Sequence, residues 1–215
     1  MKEITEGMLT ELRTAVAAHM SPKRFHHTLA VESMTERLCA VLCPDLTMQM
    51  RAAALLHDVT KEKNAEEQIA LCERYGLTVT EEDRRAPKTL HARTAAEVIV
   101  TDFAAFADPL VVSAVRWHTT GHADMTLPEK ILYLADYIDD SRTFESCVRL
   151  RRHFWDTDPA ACDMQTRLSN LRRTLILSYD LTIADLIERG KTVAPDTVEA
   201  RNFLILEALR EAEKK

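Results

Sequence analysis

The sequence predicts an all-α protein, and three observations lead there. Only four glycines and seven prolines occur in 215 residues, which argues for few turns and long helices. Apolar residues recur at helical spacing along almost the whole chain, and no stretch alternates at period two. Helix start and stop residues fall between the periodic segments.

The elements follow in order. Residues 3–20 read as a first amphipathic helix. SPKRFHHTLAVESMTERLCAVL begins a second, with Ser21 as N-cap and Pro22 at the first helical position. Leu29, Met34, Leu38 and Val41 mark its buried face, and Pro44 ends it. LTMQMRAAALLHDVTKE reads as a third helix, apolar on nearly all sides in its middle and therefore central to the fold. A short helix near 64–75, a stop at Gly76 and a polar loop containing Pro87 come next. TLHARTAAEVIVTDF is another helix. ADPLVVSAVRWHTTG has Asp108 and Pro109 at its start and Gly121 beyond its end. TLPEKILYLADYIDD opens with a capping box, Thr126 with Glu129. Asp158-Pro159 is expected to start a long C-terminal helix, Gly190 to stop it, and Asp196 to cap the last one. That last helix carries an apolar stripe suited to burial in its own chain or in a homodimer. With no repeat, low-complexity tract or Ser/Gly linker, residues 1–215 read as one domain.

Composition narrows the function classes. A net charge of −6 disfavours a general binder of nucleic-acid polymers, while leaving room for a phosphate ligand held by a few local cations. The five cysteines (Cys39, Cys43, Cys72, Cys147, Cys162) form no CxxC pair and suit a reducing cytoplasm. The acidic N-terminal stretch has no signal-peptide pattern, and no run of about 18 apolar residues suggests a membrane span.

The chemistry lies in misplaced polar residues. In ALLHDVTKE, residues 54–62, a histidine and an aspartate interrupt an apolar helix. An ionised carboxylate taken out of water costs several kcal/mol unless it is paired or bound to a cation. His27, His57, His91 and His118 each sit beside small or apolar residues on a different helix or at its end, and Asp136 lies inside YLADYI. Any one of these is more often a satisfied core residue than a ligand; Asp58 has Lys61 three residues away as a simple partner. Four imidazoles and two carboxylates breaking the apolar pattern together favour a metal site. Nitrogen and carboxylate ligands suit iron, manganese or zinc.

His27, the His57-Asp58 doublet and distant Asp136 resemble the H…HD…D signature of the HD-domain metal-dependent phosphohydrolases. RFHHT, LLHDVTK, TLHARTAAEVI, RWHTTG, MTLPEKILYLADYIDDSR and APDTVEARNFL together resemble the symmetrical diadenosine tetraphosphate hydrolases of the YqeK type, over about residues 21–205. The block from Trp117 to Arg142 is the most specific part. The resemblance implies an HD-type helical core over about residues 21–145, with additional C-terminal helices over about 158–215. It implies a bound divalent metal, iron in that family, as one or two ions. It also implies cleavage of a dinucleoside polyphosphate into two ADP by a metal-bound hydroxide attacking phosphorus.

Residue by residue, His27, His57, Asp58 and Asp136 fall on the family's core metal ligands. His91 and His118 complete a second metal site or touch substrate phosphates. Catalysis is assigned to His57, Asp58 and Lys61. Arg24, Lys61 and Arg142 fall on phosphate-side positions, and Pro195, Asp196 and Thr197 on the segment that closes over the nucleotide. Two departures stand out. His122-Ala123 follows Gly121 where relatives commonly carry an arginine, which touches a phosphate contact. Asp139-Asp140 replaces a Glu-Pro pair, read as a change of loop shape only. His26 adjoins His27, and the R-F-x-H-T framing favours His27. His19 and His153 lie outside the set and are expected to be exposed, while Trp117 and Trp155 are expected in the core rather than as base-stacking groups, Trp117 beside His118 being able to do both.

A bound divalent metal lowers the pKa of its water from 15.7 to about 7 and neutralises phosphate oxygens. With two ions, Asp58 is the natural bridge, because a carboxylate offers two oxygens where an imidazole offers one nitrogen. Two alternatives stay open: a phosphohydrolase of the same type acting on another nucleotide or phosphate ester, and a non-catalytic nucleotide-binding module. The second is disfavoured because no ligand position is lost.

Overall fold

The computed structural model describes residues 3–213. Eleven α-helices and four short 3-10 turns account for the regular structure, and there is no strand among the described residues. The α-helices are α1 (Glu6–Ala17), α2 (Pro22–Leu42), α3 (Thr47–Leu56), α4 (Ala65–Arg74), α5 (Glu81–Arg85) and α6 (Leu90–Asp102). They continue with α7 (Pro109–Trp117), α8 (Leu127–Ile138), α9 (Glu145–Trp155), α10 (Met164–Glu188) and α11 (Pro195–Ala212).

Helix α3 is the hub. It packs against α1, α2, α7 and α8, and every residue from Met50 to Leu56 is buried. The apolar mid-section read from the sequence thus meets neighbours on all sides; a fully buried leucine contributes roughly 1.5–3 kcal/mol. Val31 and Leu38 of α2, Val111 and Ala114 of α7, and Ile131 and Leu134 of α8 complete the surrounding core. Helix α10 closes it from outside, packing on α2, α8, α9 and α11.

Four boundaries differ from the sequence reading. Helix α3 ends at Leu56 instead of running on through Glu62, and residues 57–63 form turns. There the His57 Nδ1–H donates to the Ala54 carbonyl at 2.6 Å, satisfying an acceptor that the last turn would otherwise leave free. The polar loop around Pro87 contains α5, capped by a reciprocal Thr80–Asp83 pair. Helix α9 was not read at all: Cys147, Leu150 and Phe154 supply its buried stripe, hidden among basic residues. Asp158-Pro159 opens only a 3-10 turn, and α10 begins after Asp163, whose side chain accepts from Thr166 N at 2.7 Å.

Asp196 is likewise not the cap of α11. Ala194 holds the N-cap position and Asp196 sits in the first turn, where a negative charge meets the positive end of the helix dipole. Helix α11 packs on α10 of its own chain, burying Ala200 and Leu204 and leaving Leu206 and Leu209 exposed. Among the described residues no helix is long and apolar enough to cross a membrane.

Candidate metal centre

Helix ends deliver the site. His27 comes from the first turns of α2, and Asp136 from the last turn of α8. His57 and Asp58 lie just past α3, His91 at the start of α6, and His118 just past α7. All six are brought together. His27, His57 and Asp136 each offer a ligand atom within 4.8 Å of the others, as do His57, Asp58 and His118. His91 joins the second group, its Nε2 lying 3.0 Å from His118 Nε2 and 3.3 Å from Asp58 Oδ1.

The same local device aims three of the imidazoles. His57 Nδ1 donates to Ala54 O at 2.6 Å, His91 Nδ1 to Lys88 O at 2.7 Å, and His118 Nδ1 to Val115 O at 2.6 Å. A carbonyl can only accept, so each Nδ1 carries the proton and each Nε2 presents a lone pair. His91 Nε2 and His118 Nε2 therefore face each other as two acceptors, an arrangement that favours a cation between them. His57 Nε2 and Asp58 Oδ1 are buried and make no hydrogen bond. Orphaned buried nitrogen and oxygen atoms, converging from separate elements, fit a divalent ion.

Asp58 divides its two oxygens. Oδ2 lies 3.3 Å from His57 Nε2 and 3.9 Å from His27 Nε2, while Oδ1 lies 3.3 Å from His91 Nε2 and 3.7 Å from His118 Nε2. The ligand atoms thus form a row: His27 and Asp136 at one end, Asp58 in the middle, His91 and His118 at the other.

The electrostatics follow from burial and neighbours. Burial opposes ionisation of Asp58, but the imidazoles of His57, His118 and His91 gathered around it outweigh burial and hold its carboxyl well below the usual carboxylate range. Asp136 is buried too, and Arg142 and His27 hold it low. Burial pulls His27 down, yet hydrogen bonds to Asp136 and Asp139 win and its imidazole is pushed up to about 9. Burial, reinforced by the Lys61 charge, drives His91 down to about 4, and burial also lowers His118.

The expected phosphate-side cations stand at the site, two of them already engaged. Arg24 donates to Asp58 Oδ2 at 2.8 Å and Arg142 to Asp136 Oδ1 at 2.6 Å. Lys61 turns to His91 Nε2, at 3.0 Å, with Asp58 only at 3.9 Å. Arg24, Lys61, Lys63, Lys88 and His91 border a cavity of about 400 Å³.

Pro195, Asp196 and Thr197 do not join the cluster. Pro195 and Asp196 line a separate groove of about 480 Å³ with Arg93, Arg116, Trp117 and Thr120. Thr197 acts as a strut, donating to Thr120 O at 3.2 Å. Trp117 is therefore a half-buried groove wall, not a core residue; Trp155 is partly buried against the core. His122 packs against Trp117 with the rings tilted at 43° and meets Glu129 at 3.2 Å. His26 and His19 are exposed, whereas His153, expected to be exposed, is half-buried against Thr174 Oγ1 at 2.8 Å.

Two neighbours were missed. Asp139 is buried, its Oδ2 3.4 Å from His27 Nδ1, and it is held by Ser141. It does more than shape a loop, since it faces the back of a ligand imidazole. The sequence signal was an acid one turn after Asp136. Thr119 Oγ1 lies 3.1 Å from both His91 Nε2 and His118 Nε2; its only signal was adjacency to His118.

The sequence profile of the HD domain family matches residues 24–140. The chain belongs to the HD domain family. Among its HD relatives, a protein of Halalkalibacterium halodurans named "Bis(5'-nucleosyl)-tetraphosphatase, symmetrical" is 29% identical over 89% of this chain and 94% of its own. A Bacillus subtilis protein of the same name is 28% identical over 91% and 96%. A crystal structure from Clostridium acetobutylicum, titled a predicted HD superfamily hydrolase involved in NAD metabolism, superposes with a TM-score of 0.79 at 30% identity. It covers 92% of this chain and 97% of that one. The all-α HD fold expected from the sequence is thus the fold found.

Proposed function

We propose that this protein is a metal-dependent hydrolase that cleaves diadenosine tetraphosphate symmetrically to two ADP, working in the cytoplasm as a single catalytic unit. The observation that carries the reading is Asp58, whose two oxygens face opposite halves of the ligand row. The relatives' names supply the substrate.

In this reading His27, His57, Asp58 and Asp136 would hold one divalent ion, and Asp58, His91 and His118 would hold a second. Iron is the proposed metal; manganese and zinc suit the same donors. Such an ion neutralises phosphate oxygens and lowers the pKa of water to about 7. The chain's own groups do the rest. Lys61 sets a point charge beside His91 for a phosphate oxygen, and the forks of Arg24 and Arg142 offer further N–H donors. Asp139 keeps the His27 ring turned towards Asp136. One nucleoside lies along the Trp117 groove beside Pro195 and Asp196. The tetraphosphate would cross the ligand row with its central anhydride at Asp58; one water would add its oxygen to a central phosphorus as the bond from that phosphorus to the bridging oxygen breaks, so that both halves leave as ADP.

The test is a product analysis. Metal-loaded protein incubated with diadenosine tetraphosphate should yield ADP alone. AMP plus ATP, or no turnover, would falsify the reading. The NAD-related title of the Clostridium structure makes NAD the substrate to run beside it as the competing phosphoanhydride.

A further inference from the structure

A symmetrical dinucleotide has two identical bases, and the Trp117 groove accounts for one. We infer that Phe144 is the stacking platform for the second base, which makes it a specificity-determining residue of the reaction proposed above.

Phe144 is 70% exposed, a large aromatic ring left in water. It occupies the N-cap position of α9, where the side-chain oxygen of Ser, Thr, Asp or Asn would accept a backbone N–H of the first turn, and it makes no capping hydrogen bond. Neither the core nor the helix explains it. Phe144 lines a cavity of about 520 Å³ whose other walls include Lys23, Arg24, His27, Glu62 and Arg142. That is a ligand-sized space with its charges and its aromatic wall in a definite order. Arg24 contacts Asp58, and His27 and Arg142 contact Asp136, so these three tie the cavity to the ligand row; Phe144, Lys23 and Thr143 line the same cavity.

A nucleotide matches that order, with phosphate at the cations and base at the ring. Glu62, which accepts from Ser21 N and Oγ at 2.6 Å each, provides carboxylate oxygens suited to ribose hydroxyls on the way. The cavity is lined by His27 and Arg142, at the His27–Asp136 end of the row, whereas the Trp117 groove is lined by Thr120, the chain neighbour of Thr119, whose Oγ1 meets His91 and His118. A tetraphosphate lying across the row therefore sends its two nucleosides to the two different aromatics.

Stacking on an exposed aromatic is tolerant of base identity and worth roughly tenfold or more in affinity. The experiment compares diadenosine tetraphosphate with adenosine 5′-tetraphosphate, which has one nucleoside, using metal-loaded full-length protein. Phe144→Ala should raise KM for the dinucleotide about tenfold with little change in kcat. The preference for two nucleosides over one should fall by the same factor, and Phe144→Tyr should restore it. In a binding readout without turnover, ADP should quench extra tryptophan fluorescence in Phe144→Trp relative to wild type. An unchanged preference in Phe144→Ala, with no extra quenching in Phe144→Trp, overturns the inference. Wild-type protein that makes no ADP from the dinucleotide rejects the proposed function instead, so the two failures are separable.

Discussion

At the scale of the residue, the proposed centre gives Asp58 the task of binding and Asp139 that of aiming. Asp58→Ala should abolish metal uptake and turnover together while leaving the helical circular dichroism intact; elemental analysis after reconstitution is the check. Retention of stoichiometric metal would show that the two-sided carboxylate is not a ligand. Asp139→Asn keeps the shape but removes the charge behind His27, and loss of such an outer partner typically costs 10- to 100-fold in metal affinity. A competition titration with a chromophoric chelator measures it. The residues that converge were legible in the sequence because an acid or imidazole in an apolar helix breaks a pattern. Asp139 and Thr119 were not, because a polar residue in a helix-end loop breaks none; only the coordinates bring Asp139 to 3.4 Å from His27.

Secondary-structure elements carry the next two expectations. Glu129 of α8 is buried, reaches back to Thr126 N at 2.6 Å, and pairs with Ser113 and His122. Burial raises its pKa, but the Ser113 and Thr126 hydrogen bonds win and hold it below the ordinary glutamate value of 4.5. A group depressed in the folded state contributes stability above its unfolded pKa and loses it as pH falls through the folded value. Thermal melts between pH 7 and pH 3 should therefore show a smaller acid-induced loss for Glu129→Gln than for wild type, with the Gln variant less stable at pH 7. Gly121, at φ +64°, is a sharper case: an added Cβ would be strained and would overlap the Tyr179 hydroxyl. Gly121→Ala should cost at least about 1–3 kcal/mol, read as a lowered Tm. The helix boundaries that the sequence misread share a cause. His57 ends α3 with its own side chain, and α9 hides three buried residues among arginines. Periodicity alone registers neither.

For the whole molecule, the relevant contrast is between a net charge of −6 and a ligand row walled by Arg24, Lys61, Lys63, Lys88 and Arg142. Attraction of a polyanion to this local patch is screened over a Debye length of about 10 Å at 0.1 M salt. KM for the dinucleotide should therefore rise steadily with potassium chloride, while kcat changes little. A flat salt response would mean that the cations serve the fold alone. Ion binding should also add to global stability, since anything held only by the native state raises Tm with its concentration; a chelator should reverse that gain.

The carbonyl clamps on His57, His91 and His118 have a last consequence. Each ring is fixed by a backbone oxygen three residues earlier in its own segment, a bond that needs no ion to form. The seat is cut by the polypeptide and merely filled by its occupant. Stripping and refilling should then proceed on the native protein without a refolding lag, and the occupant should follow whichever transition metal the surroundings supply most freely.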